Sequence, residues 1–193
     1  MCPRCARPAS ACICDWVVAV QTQVDLLILQ HPMETSNAKG SARLLHLSLA
    51  GSTLAEGEAF EPGLLHAMLY ANGRTPLLLY PAAPGETAPE AAALPADPAA
   101  LRLVVLDGTW RKSRKMLHLN PALQCLPRLA LTDVPPSHYL IRKAHLADQL
   151  STLEASCHAL AQLDAKAAGL RPLLDAFDRF VARFQVTGGR IGT

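Results

Sequence analysis

Four of the six cysteines stand within the first fourteen residues, as Cys2-x2-Cys5-x6-Cys12-x-Cys14. Two closely spaced pairs can bring four thiolates onto one tetrahedral zinc, which closes every coordination position and makes such a metal structural. The competing arrangement is a set of free thiols on a flexible tail. Pro3 and Pro8 favour turns here, and so short a segment draws its ordering energy from the metal. Cys125 and Cys157 stand alone and read as small apolar fillers. A second constellation is Asp107-Gly108-Thr109-Trp110, directly after the apolar run Leu103-Val104-Val105-Leu106. It offers a carboxylate for proton transfer, a glycine for close backbone approach and an indole on which a base can stack. Asp107 also has two structural readings, as a helix N-cap or as a turn-maker with Gly108. Trp110 is equally readable as a buried anchor of the loop. His31-Pro32-Met33-Glu34 closes an earlier apolar run, and His31 there either meets a ligand or only shapes the turn before Pro32.

Other chemistries lack their signatures. There is no P-loop, no Gly-x-Gly-x-x-Gly after a strand, no His-Glu-x-x-His and no Gly-x-Ser-x-Gly. The net charge of +2 hides an uneven distribution. Arg102, Arg111, Lys112, Arg114, Lys115, Arg128, Arg142 and Lys143 face only Asp107 and Asp133 in one block, whereas six acids oppose Arg74 alone between Glu56 and Asp97. A basic block of this kind is either a nucleic-acid face or one solvated helix surface.

The elements that must position these groups follow from the pattern. The 193 residues are half apolar and 18% charged, enough for one domain with a buried core or a domain with a small appendage, and incompatible with global disorder. No apolar run reaches 18 residues, so no membrane span is expected. The N-terminus has no apolar signal core, and a cytoplasmic location is the default. Strands are expected at Val24–Leu29, Leu77–Tyr80, Leu103–Leu106, Arg128–Leu131 and Tyr139–Arg142. Helices are expected over Ser41–Leu49, with Gly51 as the stop, then Leu64–Tyr70, Arg111–Leu119 and Ala155–Ala168. The Ser151-Thr152-Leu153-Glu154 capping box opens the last of these. The stripe Leu173, Leu174, Phe177, Phe180, Val181 and Phe184 has helical spacing, with Pro172 at its start, and reads as core packing. Residues 81–100 hold nine alanines and five prolines, a density that blocks regular structure and marks a surface insert. Strands alternating with helices point to an α/β domain around a mostly parallel sheet, with ligands beyond the strands' carboxyl ends. The division expected is a four-cysteine knuckle over residues 1–20 and a second unit over 21–193.

Taken together, these stretches resemble the DTW-domain family of tRNA-uridine aminocarboxypropyltransferases. The resemblance rests on Asp107-Gly108-Thr109-Trp110 with the basic Arg111-Lys112-Ser113-Arg114-Lys115-Met116, and on Cys2, Arg4, Cys5, Cys12 and Cys14. It extends to His31-Pro32-x-Glu34 with Lys39-Gly40-Ser41-Ala42-Arg43, to Leu123-x-x-Leu126-Pro127-Arg128, to Ser137-x-Tyr139-x-Ile141-Arg142-Lys143 and to Leu150-Ser151-Thr152-x-Glu154-Ala155. Ala144 stands where the family pattern has proline.

The resemblance implies a SPOUT-like fold, in which C-terminal loops thread into a knot around S-adenosylmethionine, and a reaction that places a 3-amino-3-carboxypropyl group on N3 of a tRNA uridine and releases methylthioadenosine. It implies Asp107 as general base or as an orienting group, with Thr109 and Trp110 beside it. Leu106, Gly108, Ile141, Arg142, Leu150, Ser151, Thr152 and Glu154 would bind S-adenosylmethionine. Arg4, His31, Arg43, Arg111, Lys112, Arg114, Lys115, Arg128 and Lys143 would meet tRNA. Structural zinc on Cys2, Cys5, Cys12 and Cys14 would complete a knuckle that grips tRNA, with Arg7 adding charge. Two rival readings are a methyltransferase of the same fold and cofactor, and a non-catalytic zinc-containing RNA-binding module. Oligomeric state is not legible.

Overall fold

The apolar runs become the inner strands of one parallel sheet in the computed structural model, which describes residues 1–37, 40–81, 94–131, 150–164, 167 and 169–187. Its strands are β1 (Asp25–Gln30), β2 (Thr53–Glu56), β3 (Thr75–Leu79), β4 (Leu101–Asp107) and β5 (Arg128–Leu129), in the order β2-β1-β4-β3-β5 with every pairing parallel. Side chains alternate between two cores, as strand geometry requires. Leu26 and Ile28 of β1 and Leu103 and Val105 of β4 face α1 (Ala42–Ser48), α5 (Thr152–Leu163) and α6 (Leu170–Thr187). Leu27, Leu29, Val104 and Leu106 face α2 (Pro62–Leu69), α3 (Trp110–Leu119) and α4 (Pro121–Gln124). Coverage on both faces explains why β1 and β4 read as unbroken apolar runs without alternation.

The expected elements shift at their ends for identifiable reasons. β3 begins earlier than expected and contains Pro76. The Leu78 N–H points toward β5, donating to the Pro127 carbonyl. Pro76 lies two residues earlier on that same side, where β5 has not yet started, so its missing donor is not needed. The expected helix from Ala155 starts at Thr152 and ends at Leu163, while the expected strand Arg128–Leu131 contracts to two residues. Asn120 separates α3 from the short α4. β2 was not expected. It is a short edge strand that is half-buried to exposed, so it carries no hydrophobic run. The expected strand Tyr139–Arg142 lies outside the described residues, and the described residues do not show the implied knot.

The first twenty residues dock on the sheet's helical layer. Cys5 and Ile13 are buried in the same core as Leu173, Phe177 and Phe180 of α6. Trp16 meets Phe180 edge-to-face at 6.5 Å, the Arg183 guanidinium donates to the Ser10 carbonyl at 3.1 Å, and Val20 bridges to Leu49. Each fully buried phenyl of this cluster contributes about 1.5–3 kcal/mol. At the amino ends of β1 and β4, buried Arg102 is ion-paired to Asp25 and donates to the Met68 carbonyl, which closes the end of the sheet remote from the loops described next. Among the described residues, no helix is long and apolar enough to cross a membrane.

Candidate active site

β1 leads through α1 to β2 on one side of the sheet, and β4 leads through α3 and α4 to β5 on the other. Connections that leave adjacent parallel strands in opposite directions open a crevice at the carboxyl ends, the usual ligand position in such sheets. The last residues of the two strands, Gln30 and Asp107, are register partners. Asp107 is 6% exposed. The Gln30 amide donates to its Oδ2 at 2.7 Å, and the Thr152 hydroxyl, at the start of α5, donates to its Oδ1 at 2.6 Å. The His31 N–H donates to its backbone carbonyl at 2.9 Å. Two segments far apart in the chain, Gln30–His31 and Thr152, therefore fix Asp107, and Gln30 and Thr152 orient its carboxylate. Gln30 Oε1 is buried without a hydrogen-bond partner, a condition that costs about 1–3 kcal/mol and marks the site as not arranged for stability alone.

The loop after β4 divides its labour residue by residue. Thr109, not Asp107, is the N-cap of α3, its hydroxyl accepting from the Lys112 N–H at 3.4 Å; this corrects the capping reading of Asp107. A Cβ on Gly108 would stand 3.1 Å from the Lys112 Cβ and 3.7 Å from the His31 Cβ, so glycine lets this loop close against its own helix. Trp110 is 50% exposed, which removes the anchor reading. Its ring meets Tyr80 edge-to-face at 5.9 Å, and the Arg128 guanidinium lies over the Tyr80 ring, 5.6 Å from its centre.

The start of α5 is held from two directions. Ser151 and Glu154 form a reciprocal capping box, the structural role expected for Glu154. The Leu153 N–H donates to Ser41 Oγ at 3.3 Å. Among the residues expected to meet a cofactor, Leu106 turns its side chain into the core with α3 and Leu150 is half-buried. Ile141, Arg142 and Lys143 lie outside the described residues.

The basic block splits in two. Lys112 pairs with buried Glu34 at 2.8 Å, and Lys115 with Glu58 at 2.8 Å. Arg111 and Arg114 are exposed on the outer face of α3, as is Arg4 in the N-terminal turn. Arg43 pairs with Glu56 at 3.4 Å. His31 is 5% exposed. Its Nδ1 accepts from the Met33 N–H at 3.1 Å, which places the proton of a neutral ring on Nε2, 2.9 Å from Glu58. Lys115 first, then His31, hold the Glu58 carboxyl below its usual range. Arg7, expected to add surface charge, is 7% exposed and spends its guanidinium on the carbonyls of Asn37 and Gly40.

The four N-terminal cysteines converge. Their sulfurs lie within 4.8 Å of one another, with Cys2–Cys14 at 3.6 Å and Cys5–Cys12 at 3.8 Å. Tetrahedral zinc with bonds of about 2.3 Å requires sulfurs about 3.8 Å apart, whereas a disulfide needs about 2.05 Å. The donor set therefore fits a structural metal. The turn is shaped for it: Ala6 N–H donates to the Cys2 carbonyl at 2.9 Å and Cys2 N–H to the Arg7 carbonyl at 2.7 Å, with Ala6 left-handed at φ 53°. Backbone N–H groups of Cys5 and Arg4 pull the Cys2 thiol down to about 6, while burial, and then the proton shared with Cys2, push Cys14 up to about 12.

Sequence reasoning missed Gln30, Glu58, Tyr80 and Asn120. Buried Asn120 accepts from the Phe60 N–H at 2.9 Å and donates to the Glu58 and Met116 carbonyls, which sets the segment carrying Glu58. The only sequence signal was a polar residue ending an apolar run, at Gln30.

Comparison with known proteins follows the same residues. The family model described as the DTW domain matches residues 1–185. A Drosophila melanogaster protein named tRNA-uridine aminocarboxypropyltransferase 2 is 30% identical over 198 residues, 98% of this chain and 76% of that protein. A Mus musculus protein of the same name is 30% identical over 169 residues, 84% of this chain and 56% of that protein. The tRNA-uridine aminocarboxypropyltransferase A of Arabidopsis thaliana is 23% identical over 216 residues, 96% of this chain and 80% of that protein. The chain thus spans little more than half the length of the mouse protein. No solved structure matches it.

Proposed function

Because this chain belongs to the DTW-domain family, we propose that it modifies tRNA, joining the 3-amino-3-carboxypropyl group of S-adenosylmethionine to N3 of a uridine. The observation that carries this reading is the Asp107 carboxylate, held by Gln30 and Thr152 at the switch point of the sheet, with the half-exposed indole of Trp110 three residues on in the same loop. The names of the fly, mouse and plant relatives support it.

The residues present fit S-adenosylmethionine by their chemistry. Asp107 offers a carboxylate to a cationic or N–H-bearing group, Trp110 an aromatic face to a purine, and Leu106, Gly108, Leu150, Ser151 and Thr152 offer loop backbone. In the knotted topology that the family implies, Ile141 and Arg142 complete the pocket, with the Arg142 guanidinium fitting a carboxylate bidentately. When bound, S-adenosylmethionine supplies a methylene carbon made electrophilic by the adjoining sulfonium, with methylthioadenosine as the leaving group.

The chain's own part is positioning and proton transfer. Asp107 takes the N3 proton of the uridine as the N3–carbon bond forms and the carbon–sulfur bond breaks. Gln30 and Thr152 hold the carboxylate in one orientation, and Trp110 stacks a base. Fixing both reactants in one crevice supplies most of the acceleration in a single displacement of this kind. Arg4, Arg111 and Arg114 meet phosphates directly, Arg43, Arg128 and Lys143 extend that surface, and His31, Lys112 and Lys115 brace the loops. Cys2, Cys5, Cys12 and Cys14 hold a structural zinc, in a reducing compartment such as the cytoplasm. On this reading residues 1–20 form the knuckle and 21–193 the catalytic unit.

Mass spectrometry of nucleosides from unmodified tRNA, incubated with the protein and S-adenosylmethionine, tests the proposal. Aminocarboxypropyl-uridine with methylthioadenosine is expected, and Asp107→Asn abolishes both. A methylated nucleoside with S-adenosylhomocysteine would sink the reaction while keeping the cofactor.

A further inference from the structure

We infer that Arg7 is a positioning residue through which the four-cysteine site sets the geometry of the Asp107 crevice, an inference that rests on the function proposed above. Its backbone belongs to the metal turn. The Arg7 carbonyl accepts from the Cys2 N–H at 2.7 Å, and the Arg7 N–H is a hydrogen-bond donor to the Cys5 thiol. Its side chain leaves that turn and, almost fully buried, donates through Nη2 to the Asn37 carbonyl at 3.3 Å and the Gly40 carbonyl at 3.0 Å. Gly40 itself has little room for a side chain. A Cβ on Gly40 would stand 3.1 Å from the Asn37 carbonyl oxygen, 3.6 Å from that of Glu34 and 3.8 Å from Arg7 Nη2.

From this loop two contacts run to the crevice. Asn37 donates to Glu34, which holds Lys112 on the helix that follows Asp107. Ser41 accepts from the Leu153 N–H, one residue beyond the Thr152 that donates to Asp107. Both of these bonds come from the one nitrogen at the far end of the arginine, which a shorter lysine would reach only in part. Without metal, the 2–7 turn keeps only its two backbone hydrogen bonds and weak thiol contacts, so the anchor of Arg7 loosens and with it the brace of the loop. The knuckle therefore governs the crevice and is more than a handle for tRNA.

Hydrogen exchange on the whole protein tests this, with zinc content measured in parallel. Stripping zinc with a chelator is expected to raise exchange several-fold in peptides covering 31–37 and 150–156. R7A is expected to do the same with zinc still bound one to one, to raise the KM for S-adenosylmethionine and to leave tRNA affinity unchanged. R7K gives an intermediate effect. If R7A loosens every peptide alike, R7K is read by the same two peptides in its place. Zinc-loaded variants whose two peptides exchange like wild type overturn the inference, and so does a loss of tRNA affinity with exchange and KM unchanged. Because exchange is read without turnover, the inference stands or falls separately from the proposed reaction.

Discussion

Thr152→Val removes one hydroxyl and nothing else of consequence. The two side chains have nearly the same shape, and the cap of α5 is made by Ser151 and Glu154, which the change does not touch. What is lost is the 2.6 Å hydrogen bond to Asp107 Oδ1. A hydrogen bond to a charged group is worth about 1.5–3 kcal/mol. If the bond serves to hold the carboxylate as the uridine proton leaves, that energy converts at about 1.4 kcal/mol per decade to a roughly 10–150-fold fall in kcat/KM. Asp107 keeps its second donor, Gln30, so the variant should fold, with a melting temperature lowered by about 3–12 °C for a chain of this size. The assay is the initial rate of aminocarboxypropyl-uridine formation at subsaturating tRNA and saturating S-adenosylmethionine, which reads kcat/KM for tRNA, with Thr152→Ser as the control that returns the donor. T152S should recover most of the rate. A folded T152V with the kcat/KM of wild type would refute the argument that Asp107 acts from a fixed orientation.

Three other outcomes are expected. Ala6→Gly relieves a left-handed residue in the metal turn and should raise the melting temperature of the zinc-loaded protein by about 1–4 °C; a lower melting temperature would show that Ala6 is not strained. Glu58, whose carboxyl is depressed by Lys115 and His31, contributes stability that is present above its ordinary value near 4.5 and is lost as pH falls through its lowered folded value. Urea midpoints taken from pH 5 to 3 should therefore fall less steeply in E58Q than in wild type, and parallel curves would remove Glu58 from the acid response. Replacing Arg111 and Arg114 together by alanine should flatten the salt dependence of tRNA binding by a slope of about 1.4–1.8; an unchanged slope would place the RNA elsewhere.

How much of this was legible depends on whether a feature is local. The unbroken apolar runs of β1 and β4 survive inspection because both faces of those strands are covered. The capping box of α5 lies within four residues and the cysteine pairs within fourteen. Register is different. Nothing in the sequence says that Gln30 ends its strand opposite Asp107, or that Ser41 caps a donor 112 residues away. Charge is equally silent on geometry: Lys112 and Arg111 are neighbours in one basic run, yet the first is tied to Glu34 and the second is exposed. Arg7 looked like surface charge because burial of a guanidinium on backbone carbonyls leaves no pattern at all. β2 escaped because an exposed edge needs little apolar content.

The docking of Ile13 and Trp16 against α6 also dictates an order of assembly. The cysteine pairs lie within one short stretch and can gather a metal as soon as that stretch has left the ribosome. The surface on which the loaded turn must rest, around Phe177 and Phe180, is made much later in synthesis, roughly 10–30 s on at about 5–20 residues per second. The cysteine stretch thus waits for a partner made well after it, with the apolar flank of Ile13 and Trp16 open to other contacts meanwhile. A metal captured early would keep that flank compact through the interval, so zinc supply during translation, as well as zinc affinity of the finished protein, would govern how much of it folds.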